Sequence, residues 1–166
     1  MNRLSFETDN YLDLIQSYYV DKTMIIKDII DYFSYRTVLI TRPRRFGKSL
    51  TLSMMEHYFT NKGNYRFAFE GKRIMEAGED YLSYMNAFPL VHLNMKNITG
   101  SNFEKLLFET KKTLSALYES FLELENSERI SEQKKKQFLS IRNQKVEGNK
   151  PYEGALQLLI DLLYAH

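Results

Sequence analysis

The sequence predicts an α/β chain with a helix-rich C-terminal half. Three observations carry that expectation. The short β-branched apolar run "RTVLIT" at 36–41 reads as a buried strand, and "FPLVHLNM" at 88–95 is a second strand candidate. Between them "KSLTLSMMEHYF" holds no helix breaker and repeats Leu50, Met54 and Tyr58 at four-residue steps, the mark of a helix beginning near Lys48. Beyond residue 100, apolar residues recur only at helical spacing.

The chain has 166 residues, which suits one domain with a core of its own. It has no cysteine, so thiolate zinc sites and thiol nucleophiles are excluded and a reducing compartment is suited. The polar opening "MNRLSFETDN" lacks the layout of a secretory signal, and no apolar stretch has membrane-spanning length. A cytoplasmic protein without membrane contact is expected. Net charge is +2, from 23 basic and 21 acidic residues, which gives no overall argument for nucleic acid.

In order along the chain, Tyr18 to Val20 reads as a short extended piece, and Asp21 or Thr23 suits the cap of a helix carrying Ile25, Ile29 and Tyr32 or Phe33. The first strand, the loop "RPRRFG" and the helix from Lys48 follow. "NKGNYRFAFEGKRI" reads as loop and "EDYLSYMNA" as a short helix. The second strand opens on Pro89, where a proline is tolerated. Ser101 with Glu104 forms a capping-box start for a long helix. Its residues Phe103, Leu107, Thr110, Leu114, Leu117, Phe121 and Leu124 follow a 4-3 seam, read as packing on a neighbouring helix or sheet, with a dimerising coiled coil as the alternative. A charged helix with Ile130, Phe138, Ile141 and Val146 comes next, and its Lys134–Lys136 run reads as a solvated face. Pro151 suits the start of the last helix, whose stripe is Leu156, Leu159, Ile160 and Leu163.

The chemistry lies at the first strand-to-helix junction. Gly47-Lys48-Ser49 ends like a phosphate-binding loop, but the general pattern wants a glycine where this chain has Arg42. Binding an anion there needs converging backbone N–H groups and a helix N-terminus. Gly47 permits close approach, Lys48 would reach the terminal phosphates, and Ser49 would hold Mg²⁺. Arg42-Pro43 constrains the exit from the strand by stiffness in place of glycine freedom. Arg42, Arg44, Arg45 and Lys48 cluster positive charge within seven residues. Polyanion binding through these arginines and the lysine run is a further reading, opposed by the near-neutral total.

Tyr19 to Thr23 and Arg42 to Leu50, "YVDKT" and "RPRRFGKSL", are the residues in which the chain resembles the bacterial AAA-ATPase-like family, a degenerate branch of the P-loop ATPases. "FPLVHLNM" is similar to that family's next strand, so the likeness spans most of the chain. The resemblance implies an incomplete P-loop NTPase core with few strands, residues 1–100 carrying that core and 101–166 a helical segment. It implies ATP and Mg²⁺ as ligands, with Arg44, Arg45, Phe46, Gly47, Lys48, Ser49 and Leu50 at the nucleotide and Asp21 near the base. Family members continue into a strand ending in Asp-Glu-Tyr-Asp, and many carry a nuclease-like domain of the PD-(D/E)XK type.

Hydrolysis needs an acid after an apolar strand to hold metal and orient water. "FPLVHLNM" ends without one, and Asp161 in "LQLLID" has helical context. Little or no turnover by this chain alone is expected, so enzyme activity stays open. A truncated or split protein, missing strands supplied by a partner, and a rearranged small domain are the three structural expectations. A non-catalytic interaction module acting through the long helices is the alternative function. His57, His92 and His166 form no legible metal or catalytic set.

Overall fold

The computed structural model describes residues 8–15, 20–32, 37–41, 43, 45–96, 98–144 and 152–166. They form two compact units, Met1–Leu90 and Val91–His166.

The α/β expectation is not met. Among the described residues every regular element is helical, and β-structure is limited to one isolated parallel bridge between Thr60 and Phe88. Thr37 to Thr41 forms no strand, and its Leu39 is 83% exposed. A β-branched run has strand propensity, but a strand exists only through a partner ladder, and among the described residues none pairs with this run. In the second run Phe88 is committed elsewhere: its N–H donates to the Phe59 carbonyl at 2.9 Å and its own carbonyl accepts from the Asn61 N–H at 2.8 Å. Pro89 then has no N–H to offer. The would-be strand thus begins by closing off a helix end.

The first unit contains α1 (Tyr11–Leu14), α2 (Met24–Asp31), α3 (Lys48–Phe59) and α4 (Glu79–Leu82). The stretch read as loop holds two 3₁₀ turns, Arg66–Ala68 and Arg73–Glu76. α1 is capped by Asn10, whose side chain accepts the Leu12 N–H at 3.0 Å. Thr23 does occupy the N-cap position of α2, but its hydroxyl makes no cap bond. α2 buries Ile26 fully, while Ile25 and Ile29 are half-buried, so the core-facing row is shifted by one residue from the expected one. α3 begins at Lys48 as its sequence indicates, and its Met54 and Tyr58 lie in the core.

That core is aromatic. Tyr11 stacks on Phe69 at 5.2 Å, and Tyr58 meets Phe69 edge-on at 5.1 Å. Tyr11 also ties three segments together. Its N–H donates to Ser53 Oγ at 3.1 Å on α3, and its hydroxyl donates to the Ala68 carbonyl at 3.0 Å. Each such fully buried ring is worth about 1.5–3 kcal/mol in removed apolar surface, so α3 is held along its inner face.

The second unit contains α5 (Phe103–Glu119), a 3₁₀ turn at Leu122–Asn126, α6 (Glu132–Arg142) and α7 (Ala155–Ala165). The N-cap of α5 is Asn102, not Ser101: Asn102 Oδ1 accepts the Lys105 N–H at 2.9 Å. Both residue types cap well, so the capping pattern was ambiguous by one position. The 4-3 seam is used in its second half, where Leu114, Leu117, Phe121 and Leu124 are buried, while Phe103 is 71% exposed. These residues pack with Phe138 and Ile141 of α6 and with Ala155, Leu159 and Leu162 of α7. The buried row of α7 thus differs from the expected stripe, because Leu156 and Ile160 face out. Tyr118 donates its hydroxyl to the Ala155 carbonyl at 2.7 Å and seats the start of α7. Glu125 and Arg142 form an ion pair, and Ser115 donates to the Arg142 carbonyl. Val146 and Pro151 lie outside the described residues.

Candidate functional site

The candidate site is the entry to α3. Gly47 is its N-cap and has φ +74°, in the left-handed region that glycine enters without strain. A Cβ there would meet only Leu50 side-chain atoms at 3.9 Å, so backbone conformation, not space, demands the glycine. Arg45, two residues earlier, also has positive φ, +66°, which costs a non-glycine residue about 1 kcal/mol or more. The turn therefore reverses tightly before the helix.

Gly47, the N-cap, has no side chain with which to cap α3. Its first intrahelical bond runs from the Thr51 N–H to the Gly47 carbonyl at 2.8 Å, and the Thr51 hydroxyl donates to the same oxygen at 2.9 Å. The N–H groups of the first turn have no intrahelical acceptor, and they sit at the positive end of a 12-residue dipole. Lys48 turns back over the loop, where its Nζ donates to the Pro43 carbonyl at 2.9 Å. The ammonium, the first-turn N–H groups and the loop thus share one end of α3.

Ser49, on the first turn, is exposed, and Leu50 is half-buried and packs against the core of the unit. Phe46 is 59% exposed. Arg44 and Arg42 lie outside the described residues. No group of three or more His, Cys, Asp or Glu that could hold a metal occurs among the described residues.

Asp21 has a different setting. Its Oδ1 accepts the N–H and the hydroxyl of Thr23 at 2.8 and 2.7 Å, and its Oδ2 accepts the Arg73 N–H at 2.8 Å. Thr23, fully buried, accepts the Ile74 N–H at 3.2 Å. Partial burial pushes the Asp21 carboxyl up, but the hydrogen bonds from Arg73 and Thr23 and the charge of Lys72 outweigh it and hold the pKa below its ordinary value. Asp21 and Thr23 clasp the segment before α2 to the 3₁₀ turn at Arg73–Glu76.

Two contributors escaped the motif reading. The Pro43 carbonyl was invisible because backbone acceptors leave no residue signature. Thr51 had a weak signal, a hydroxyl four residues after the N-cap glycine, where it can bond back to that carbonyl.

The helix N-terminus, the left-handed glycine and the overhanging lysine fit an anionic ligand of the phosphate type. A comparison with family profiles matches residues 6–161 to the AAA-ATPase-like family, described as Predicted AAA-ATPase. Searches of curated proteins and of solved structures return no match. No described helix is long and apolar enough to cross a membrane. With the match running over nearly the whole length, the chain belongs to the predicted AAA-ATPase family.

Proposed function

We propose that this chain binds ATP with Mg²⁺ at the entry to α3 and hydrolyses it slowly or not at all by itself. The observation that carries the reading is the Gly47–Lys48 junction: a left-handed glycine, with no side chain to cap it, opens a helix, and the adjacent lysine turns its ammonium back over the loop. In this reading the backbone N–H groups of Arg45, Phe46, Gly47, Lys48, Ser49 and Leu50 cradle the phosphates. Lys48 exchanges the neutral Pro43 carbonyl for a charged phosphate oxygen, a stronger acceptor. The Ser49 hydroxyl is the protein ligand for Mg²⁺, which when bound neutralises phosphate charge. Arg44 and Arg45 add positive potential, and Asp21, fixed by its bonds to Arg73 and Thr23, lies on the base side.

Thermal unfolding with and without Mg-ATP, beside Lys48→Ala, tests this. A ligand that binds only the folded state at a hundred times its Kd adds about 2.7 kcal/mol of stability. A rise in Tm of the parent that is absent in Lys48→Ala is the expected result. Equal rises in both proteins, or none in either, would count against the site.

A second reading, a protein-interaction module, is supported by apolar side chains on the surfaces of α5 and α7. Phe103, Leu106 and Phe108 on α5, and Leu156, Ile160 and Tyr164 on α7, are all exposed. Sedimentation at several concentrations without nucleotide tests it, since a monomer throughout would remove self-association from this reading.

A further inference from the structure

Residues 37–41 are backbone of strand composition without a ladder. Among the described residues, none of their N–H or C=O groups makes a hydrogen bond. The side chains are Thr, Val, Leu, Ile and Thr, so all but Leu39 are β-branched and none is charged. Val38 is 45% and Leu39 83% exposed. An exposed apolar run with strand propensity and open backbone groups is a template for another strand.

The order of these residues says which strand. About Leu39 the run reads alike in both directions, with Thr37 matching Thr41 and Val38 matching Ile40. Antiparallel pairing of two copies about a two-fold axis at Leu39 sets threonine opposite threonine, valine opposite isoleucine and leucine opposite leucine. The next two-fold registers lie two residues either way. One sets Arg42 opposite Val38, and the other sets Arg36 opposite Ile40. The centred register keeps both arginines off the apolar residues, although Arg36 of one copy then stands opposite Arg42 of the other.

We propose that residues 37–41 pair with the same residues of a second copy of this chain, as an antiparallel two-stranded ribbon centred on Leu39. A stable interface engages about 20–30 residues a side, so five residues make a weak, concentration-dependent pair. Salt strengthens it by screening the facing arginines. The pairing is independent of nucleotide binding at the entry to α3 and of the apolar rows on α5 and α7.

The absence of cysteine from the chain supplies the test. Three variants of the full chain, Leu39→Cys, Thr37→Cys and Thr41→Cys, are oxidised with glutathione disulfide at several protein concentrations. All three side chains are exposed, so the substitutions leave the core of the first unit untouched. In the centred register position 39 faces itself, whereas position 37 lies about 13 Å along the strand from position 37 of the other copy, beyond the reach of a disulfide. Leu39→Cys should therefore form covalent dimers at least tenfold faster than Thr37→Cys or Thr41→Cys alone, and a mixture of the latter two should cross-link as mixed dimers. In sedimentation of the uncross-linked protein, Leu39→Lys should weaken self-association at least tenfold, and Ile160→Lys should leave it unchanged. Equal cross-linking at the three positions, a monomer at every concentration, or association lost in Ile160→Lys and kept in Leu39→Lys would overturn the inference.

Discussion

The Lys48 ammonium donates to the carbonyl oxygen of Pro43 at 2.9 Å, so the loop before α3 is closed by the side chain that follows its glycine. The contact is exposed, and an exposed hydrogen bond of this kind contributes about 1 kcal/mol or less. Lys48→Met should therefore unfold within a few degrees of the parent when nucleotide is absent. Gly47→Ala should cost more, about 1–2 kcal/mol, because alanine resists the left-handed conformation at +74°. Denaturant midpoints of the two variants check this, and the order reversed would show that Lys48 is structural.

The clasp of Asp21 and Thr23 predicts a destabilised first unit when either is cut. Thr23→Val leaves the Asp21 carboxylate and the Ile74 N–H without the buried hydroxyl, at a cost of about 1–3 kcal/mol. Asp21 also adds an acid dependence. Its folded pKa is lowered, so its contribution is present above the unfolded carboxyl pKa and is lost as pH falls through the folded value. Asp21→Asn should flatten that part of the acid limb in a plot of stability against pH. An unchanged limb would place the acid sensitivity elsewhere.

Tyr58 predicts the opposite limb. Burial pushes its phenol up to about 12, and its hydroxyl donates to the Tyr81 carbonyl at 3.0 Å. For an acid with a raised folded pKa, stability is intact below the unfolded value near 10 and falls as pH rises toward 12. Tyr58→Phe should lose the hydrogen bond but retain more of its own stability between these two values. Phenolate absorbance recorded alongside circular dichroism reads both events, and Tyr58 ionising well before unfolding would contradict this prediction.

α7 predicts a sharp contrast between neighbouring leucines. Leu159 is fully buried in the second unit, whereas Leu156 is 37% exposed. Leu159→Ala should cost about 2–5 kcal/mol and Leu156→Ala less than about 1 kcal/mol in the isolated chain. Similar losses for both would mean that the outer row is also covered in solution.

Much of the helical layout was legible in the residues. The start of α3 at Lys48 followed from Gly47 and an unbroken run of helix formers, and the second half of the α5 seam followed from its 4-3 spacing. Asp161 belonged to a helix as its neighbours implied, and its carboxylate accepts from Gln157 one turn back at 2.8 Å. The failures share a cause. Ser101 and Asn102 are equivalent caps by type, and α7 is apolar on two faces, so local pattern could not choose the cap or the buried row.

The sequence by itself determined the helices and the composition of the loop before α3, because helical hydrogen bonds and glycine's conformational freedom are properties of contiguous residues. Tertiary structure decided the rest. Whether "TVLIT" and "FPLVHLNM" become strands depends on a partner at distant positions, and among the described residues neither run finds a ladder: Leu39 is exposed, and Phe88 instead bonds to the end of α3. The same holds for Asp21, whose three hydrogen bonds include one to Arg73, 52 residues away. A strand and a clasp are long-range relations, and spacing along the chain does not encode which distant group will answer.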